Sequence, residues 1–427
     1  MNKKVDTTSG FCVLPFVQYS TFNRGSYRLC CMATLPNKKI NQFELGIDGT
    51  WNHNYIKDVR RRMTAGEKLP ECVECHHLER NGIMSSRQWE NNVWTDIIDD
   101  VVADASANDW EIDQPLQFDF RLGNLCNLQC QMCNETASHL VSVERGNLIK
   151  LGLANADNNQ WSAADNIADK TEALYQPGIE WESFERMLPH ARKIKLIGGE
   201  PTLAPDMFKL LDIATETGHA GHIELSFYTN ITNMQDTWLK QLAKFESVTV
   251  NCSLEGMGDM NDYLRPPSKW TSVWKNFDKL VKFADTKEGK HIKVRVTTVN
   301  QITNALHTVK FWKFMHDYQM TSNRGIGMST NQLVEPPYYS MAHSPQWLRD
   351  EQEAQVLEFL EEIKNSPHYE DYAEPLMEMV NFSKDPCHKY NPEIMKQYVE
   401  ITEIYDRWRR HDVMTVFPEF ERIKREL

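Results

Sequence analysis

Several things are scarce in this chain of 427 residues, and each shortage narrows its function. No apolar run approaches the roughly 20 residues that a membrane-crossing helix requires. The opening Met1-Asn2-Lys3-Lys4-Val5-Asp6 has no apolar stretch of the kind a secretory signal uses, so neither membrane insertion nor export is expected and a cytoplasmic location is. Internal repeats and low-complexity tracts are absent, and 19 glycines with 18 prolines exclude a collagen-like chain. Basic side chains are outnumbered, 47 against 60 acidic ones, for a formal net charge of -13. That balance disfavours a protein that grips long nucleic acid by its phosphates; Arg60, Arg61 and Arg62 form a local basic cluster that could still touch RNA.

What is present is enough for a full core. With 41% hydrophobic, 10% aromatic and 25% charged residues the chain is globular, and its length predicts two or three domains. The ten cysteines, at positions 12, 30, 31, 72, 75, 126, 130, 133, 252 and 387, are unevenly spread, eight of them falling within the first 133 residues. In a reducing compartment such clustered thiols bind metal more often than they form disulfides.

From residue 116 onward strand-like and helix-like patterns alternate. Residues 117–122, 193–197, 222–227, 248–252 and 293–297 read as strands, with 324–333 as a weaker sixth. Helical apolar faces lie between them, carried for example by Met207, Leu210, Leu211 and Ala214 before Gly218, and by Trp274, Phe277, Leu280 and Val281. Repeated βα units force parallel strands with right-handed crossovers. The class is therefore α/β, a doubly wound sheet or a barrel of about six βα units, and in either form the loops at the carboxyl ends of the strands carry the site. Residues 1–110 look like a small metal-organised domain, with one helix around Trp51 to Met63. The polar stretch 147–178 reads as an insertion or lid. Beyond Pro337 the chain turns helical, Ser344 being placed to cap and Pro345 to occupy a first turn; this tail is expected to pack on the main domain.

The sharpest motif is Gly123-Asn124-Leu125-Cys126-Asn127-Leu128-Gln129-Cys130-Gln131-Met132-Cys133-Asn134, a CxxxCxxC spacing directly after a strand. Three thiolates on one loop can hold three irons of a four-iron cluster and leave the fourth open. The alternatives are a structural zinc site or a fully protein-ligated cluster, and zinc ordinarily needs a fourth Cys or His close by.

This motif, with Met132 before its last cysteine, resembles the signature of the radical S-adenosylmethionine (SAM) enzymes. Further matches follow in order: Gly198-Gly199-Glu200-Pro201 after the second strand resembles the GGEP motif, Thr229-Asn230 follows the third, Ser253-Leu254-Glu255-Gly256 the fourth, and Arg265 stands where many relatives carry an arginine. The resemblance covers about residues 112–335 and implies a partial (β/α)6 TIM-type barrel spanning 111–338, a helical C-terminal region at 339–427, and a [4Fe-4S] cluster on Cys126, Cys130 and Cys133. It implies that SAM chelates the open iron and is contacted by Gly198, Gly199, Glu200, Thr229, Asn230, Ser253, Glu255 and Arg265.

A second set, Cys12, Cys30, Cys72 and Cys75, includes Gly25-Ser26-Tyr27-Arg28-Leu29-Cys30 and Cys72-Val73-Glu74-Cys75. It resembles the twitch half of SPASM/twitch auxiliary-cluster domains, which implies that residues 1–110 bind a second [4Fe-4S] cluster, although such domains commonly follow the barrel and this one precedes it. Zinc, with His76 and His77 adjacent, is the competing reading, and Cys31 competes with Cys30 as ligand. Cys252 and Cys387 read as packing or surface residues, and His53 and His388 as ordinary polar side chains.

The function implied is reductive cleavage of SAM to a 5′-deoxyadenosyl radical that abstracts hydrogen from a peptide or small-metabolite substrate, with electrons from a donor such as flavodoxin or ferredoxin. The contrasting reading is a noncatalytic iron-sulfur or zinc-binding protein, or an electron carrier.

Overall fold

The computed structural model describes residues 4–22, 25–34, 40–80, 84–153, 178–322 and 324–427. Most of the proposed insertion, residues 154–177, lies outside them. The chain is α/β and divides into two compact units: 1–124 with 175–227 and 244–247, and 125–174 with 228–243 and 248–427.

In the first unit, strand β1 (Gln18–Thr21) pairs antiparallel with β2 (Tyr27–Arg28) and parallel with β3 (Gln117–Arg121). The ladder continues in parallel through β4 (Lys193–Ile197) to β5 (Glu224–Thr229). The amino-terminal segment thus adds two strands of its own. Phe118 and Phe120 stack at 5.5 Å, and both meet Phe184 edge to face. In the second unit β6 (Ser247–Ser253), β7 (Ile292–Asn300) and β8 (Gly327–Gln332) form parallel pairs.

From β3 to β8 each strand is followed by a helix: His139–Lys150, Pro205–Glu216, Asp236–Leu242, Trp270–Ala284, Thr308–Ser322 and Gln346–Glu362. These are the six βα units of the partial (β/α)6 TIM-type class, the strands being readable because apolar residues recur at every second position, as in the Lys-Ile-Lys-Leu-Ile of β4. β5 starts two residues later than its sequence pattern. Gly218, at φ 78°, turns the chain into a short 3-10 segment, His219–His222, that consumes the start of the apolar run.

Other local expectations shift for physical reasons. Trp51 ends one helix (Gln42–Trp51), and a second (Asn54–Thr64) starts afresh because His53 Nδ1 accepts the Tyr55 N–H at 3.2 Å. Ser344 does not cap the helix Gln346–Glu362; its hydroxyl donates to Met341 O at 2.8 Å and accepts from Arg349 Nε, and Pro345 sits one position earlier than expected, at the N-cap. The three arginines of the basic cluster all have partners within the chain. Arg60 is buried with its guanidinium donating to Pro15 O, Asn52 Oδ1, Trp110 O and Trp51 O, while Arg61 and Arg62 pair with Asp58 and Glu67. Among the described residues no helix is long and apolar enough to cross a membrane.

The C-terminal helices pack within the second unit. Met395, Tyr398, Val413 and Phe420 share a core with Met260, Leu264 and Ile302, and Met132 packs against it. Arg409, at the end of the helix Pro392–Arg409, grips Glu144 through two bonds of 2.8 and 2.6 Å, and both side chains are buried. Arg409→Met leaves the Glu144 carboxylate buried and unpaired, and the expected loss in denaturant unfolding is about 3–5 kcal/mol. The Glu144→Leu/Arg409→Met double variant should recover most of it; equal losses in the single and double variants would show that the charge pair is not what matters.

Candidate functional site

The cysteine loop leaves β3 and runs to the helix His139–Lys150, whose start is set by Ser138: its hydroxyl accepts from Val141 N and donates to Leu128 O at 2.8 Å. Cys126 N donates to His139 Nδ1 at 3.2 Å, and Cys133 N to Cys130 O at 3.1 Å. The loop is then strapped to a distant segment. Gln129 N donates to Pro266 O at 2.6 Å and Gln131 N to Leu264 O at 2.9 Å. The residues flanking Cys130 thus bond to the residues flanking Arg265, which sets Cys130 opposite that arginine.

The electrostatics follow from this strap. Burial pushes the Cys130 thiol up to about 12 while Arg265 pulls against it. Cys133 is also raised, first by burial and then by Cys130 and Cys126. Burial alone would depress the Arg265 guanidinium, but Cys130 and Glu255 hold it above its ordinary value. Arg265 Nη1 donates to Glu255 Oε2 at 2.5 Å, and Glu255 is completely buried, its Oε1 lacking a hydrogen-bond partner among the described residues.

Asn230 stands on the other flank of the loop. Its Nδ2 donates to Asn127 Oδ1 at 2.9 Å and lies 3.9 Å from Cys126 Sγ. Asn127 Nδ2 in turn donates to Thr232 Oγ1, whose hydroxyl donates back to Asn230 Oδ1. Thr229 is the last residue of β5 and Ser253 the last of β6. The next residue after Asn230, Ile231, is a buried β-branched residue at φ 60°, a strained conformation of the kind that collects at functional sites.

In the first unit, Gly198 has φ 141°, and a Cβ there would meet Gly123 O at 2.8 Å and Leu122 N at 2.9 Å. The demand for glycine here comes from close packing of the β3 and β4 ends, reinforced by Gly199 N donating to Gly123 O at 2.9 Å. Glu200 is buried and caps the short turn Pro201–Leu203, its Oε1 accepting from Thr202 N and Oγ1 at 3.1 and 2.7 Å.

The other four thiols all lie in the first unit. Cys12 is buried beside the short helix Leu14–Val17, Cys30 follows β2, Cys72 ends a 3-10 turn, and Cys75 lies in the helix Val73–Arg80. Burial raises Cys12, and Cys30, Cys72 and Cys75 each add to the rise. Burial likewise takes Cys30 and Cys72 up to about 12, with Cys75 contributing to both. Cys31 is exposed. His76 is buried with Nδ1 3.6 Å from Glu79 Oε2, and His77 is exposed. Cys252 is buried in β6, Cys387 is exposed, and His388 Nδ1 lies 2.7 Å from Phe382 O.

Among the described residues no three Cys, His, Asp or Glu side chains come together around a point where one metal ion could sit. A single zinc gathers its sulfurs about 2.3 Å from one centre, whereas a four-iron cluster takes one sulfur per iron. Both sets supply thiols, the donor chemistry that iron-sulfur ligation uses.

Residues 120–299 match the model of the Radical SAM superfamily; this part of the chain is a radical SAM domain, a class whose members hold a [4Fe-4S] cluster and SAM. Among curated proteins, the mycofactocin maturase MftC of Mycobacterium ulcerans (strain Agy99) is 33% identical over 97 residues, 22% of this chain and 25% of that one. Among solved structures, native anSMEcpe with bound AdoMet and the Cp18Cys peptide is 18% identical over 57% of this chain and 59% of that one, with a TM-score of 0.37. Streptococcus suis SuiB bound to S-adenosylmethionine is 16% identical over 74% and 62%, with a TM-score of 0.38. The chain spans about a quarter of the curated relative it matches and less than two thirds of these solved chains.

Sequence reasoning missed Asn127 and Thr232, which carry no motif, and the strap at Leu264 and Pro266. It also missed His307, whose Nε2 accepts the Met257 N–H at 3.3 Å beneath the Ser253–Gly256 turn. Burial, then Lys310, lowers His307 to about 4. A histidine folded at about 4 and unfolded at about 6.5 adds stability that is fully present above pH 6.5 and is lost as pH falls toward 4, by about 3 kcal/mol at most. His307→Gln should flatten that part of the stability profile; an unchanged acid slope would show that other groups control it.

Proposed function

We propose that this chain is a radical SAM enzyme that reductively cleaves SAM and abstracts hydrogen from a peptide or small-metabolite substrate, aided by an auxiliary [4Fe-4S] cluster at its amino-terminal site. The observation that carries the reading is the CxxxCxxC loop strapped against Arg265, three thiols on one bend with no fourth protein ligand in the motif. When bound, the cluster and SAM supply one-electron cleavage of a carbon-sulfur bond and the 5′-deoxyadenosyl radical. The chain's own residues do the rest. Cys126, Cys130 and Cys133 hold three irons. Arg265 sets positive charge beside Cys130, easing the thiolate form, and Glu255 keeps the arginine in place. Glu255 Oε1 remains an acceptor for a donor such as a ribose hydroxyl.

Gly198, Gly199, Glu200, Thr229, Asn230 and Ser253 are proposed SAM contacts through the motif resemblance. Cys12, Cys30, Cys72 and Cys75 are the proposed ligands of the auxiliary cluster, with the half-buried Cys30 favoured over the exposed Cys31. Of the two substrate classes, the maturase likeness favours a peptide. The electron donor is proposed to be a flavodoxin or ferredoxin, and the site of action the cytoplasm.

Anaerobic reconstitution should give about eight irons per chain, one four-iron cluster on each cysteine set, and dithionite with SAM should yield 5′-deoxyadenosine. Replacing Cys126, Cys130 and Cys133 by alanine should leave about four irons and abolish that product. Full iron content without 5′-deoxyadenosine would favour the noncatalytic electron carrier.

A further inference from the structure

The helix Ser86–Val93 contains no cysteine, yet two of its residues are tied to the segments that carry two of the amino-terminal thiols. Arg87 Nη1 donates to Phe11 O at 2.7 Å, and Asn91 Nδ2 donates to the same oxygen at 3.1 Å. Asn91 Oδ1 accepts the Val13 N–H at 2.8 Å. Both peptide groups that flank Cys12 are therefore pinned, and with them the direction of its side chain. A further bond from Arg87 Nη1 reaches Thr7 O at 3.1 Å.

The rest of the Arg87 fork holds the helix that carries the other thiol. Nε donates to Glu79 Oε1 at 2.8 Å and Nη2 to Glu79 Oε2 at 2.7 Å, a planar two-point grip that lysine cannot reproduce. Glu79 lies four residues after Cys75 in the helix Val73–Arg80, so the two share a helix face. Ser85 donates to the same carboxylate at 2.5 Å and closes a capping box with Gln88, fixing where the clamping helix begins. Arg87 and Asn91 are only 3% and 4% exposed. A buried ion pair adds little net stability over apolar packing of similar volume; what this one supplies is geometry. The charge also reaches the thiols: Arg87 lowers Cys72 and Cys75 against the rise caused by their burial.

We propose that Arg87 and Asn91 are positioning residues of the four-thiol site, holding the Cys12 segment and the Cys75 helix in register for one four-iron cluster. The inference rests on the reading that Cys12, Cys30, Cys72 and Cys75 bind such a cluster, and the test separates the two. In the full chain with Cys126, Cys130 and Cys133 replaced by alanine, only the amino-terminal cluster can form, at about four irons per chain. A background that takes up no iron-sulfur cluster overturns the four-thiol reading and this inference together.

With the cluster present, Arg87→Lys and Asn91→Ser are each expected to speed its loss to a chelator at least tenfold. Each should also shift its midpoint potential in an EPR-monitored titration by a tenfold change in the reduction equilibrium, about 59 mV for one electron. Arg409→Met in the same background destabilises the chain elsewhere and should leave that potential unmoved. If Arg87→Lys does not fold, Asn91→Ser, which keeps the ion pair, carries the same test. Chelator resistance and potential unchanged in the folded variants would overturn the positioning role while leaving the cluster itself established.

Discussion

Two backbone hydrogen bonds, from the residues on either side of Cys130 to the carbonyls on either side of Arg265, organise the second unit's chemistry. A bend of this composition, Cys-Asn-Leu-Gln-Cys-Gln-Met-Cys, has little reason to hold one shape by itself. Fixing a single residue's backbone costs about 1–2 kcal/mol of conformational entropy, and sulfur makes weak hydrogen bonds. The strap answers that cost with backbone groups, which are strong and obligatory partners. It also delivers a guanidinium to the thiol at the centre of the bend. Removing a proton from a buried thiol is expensive, and metal binding requires it, so a permanent cation at this position favours the form that binds iron.

The arginine in turn has to be kept from leaving or from sitting unpaired. Glu255 does this from the end of β6, and its backbone carbonyl is fixed by Asn304 Nδ2 at 3.0 Å. A second charge pair, Glu144 with Arg409, lies behind the same loop, and Arg409 also lowers Cys130. The carboxyl-terminal helices therefore do more than extend the core; they bring a cation to the neighbourhood of the cysteine loop and close its apolar side around Met132.

How much of this was legible depended on the distance over which the information is written. The six βα strands could be located because each carries a short local alternation of apolar residues, and β4 was bounded correctly because nothing at its ends competes. β5 was misplaced by two residues because a glycine in the left-handed region diverts the start of the run. The three cysteines were visible since they stand within eight positions of one another. The strap joins residues about 135 apart, and Glu144 meets Arg409 across 265 positions; a single sequence carries no signal for such pairings. The same limit hid Arg87, a lone arginine in a helix without motif. Nor could a single sequence show that Gly198 also answers to packing, a Cβ there meeting the backbone of Leu122 and Gly123.

The two cysteine sets differ in how their geometry is built. Three thiols drawn from one bend need only that bend to be held, and two backbone bonds with one arginine are enough. Four thiols drawn from segments near residues 12, 30 and 72–75 arrive on independent pieces of chain, each with its own freedom. A turn cannot bring such pieces into register, so a third element has to grip two of them at once. A forked, always-charged side chain is suited to that task, because it can bond a main-chain carbonyl and a carboxylate from one rigid plane. On the proposed reading, closing the set with four thiolates would leave no open iron, which would divide the labour between the sites: bond cleavage would fall to the three-thiol loop, and the four-thiol site would be suited to holding or passing an electron.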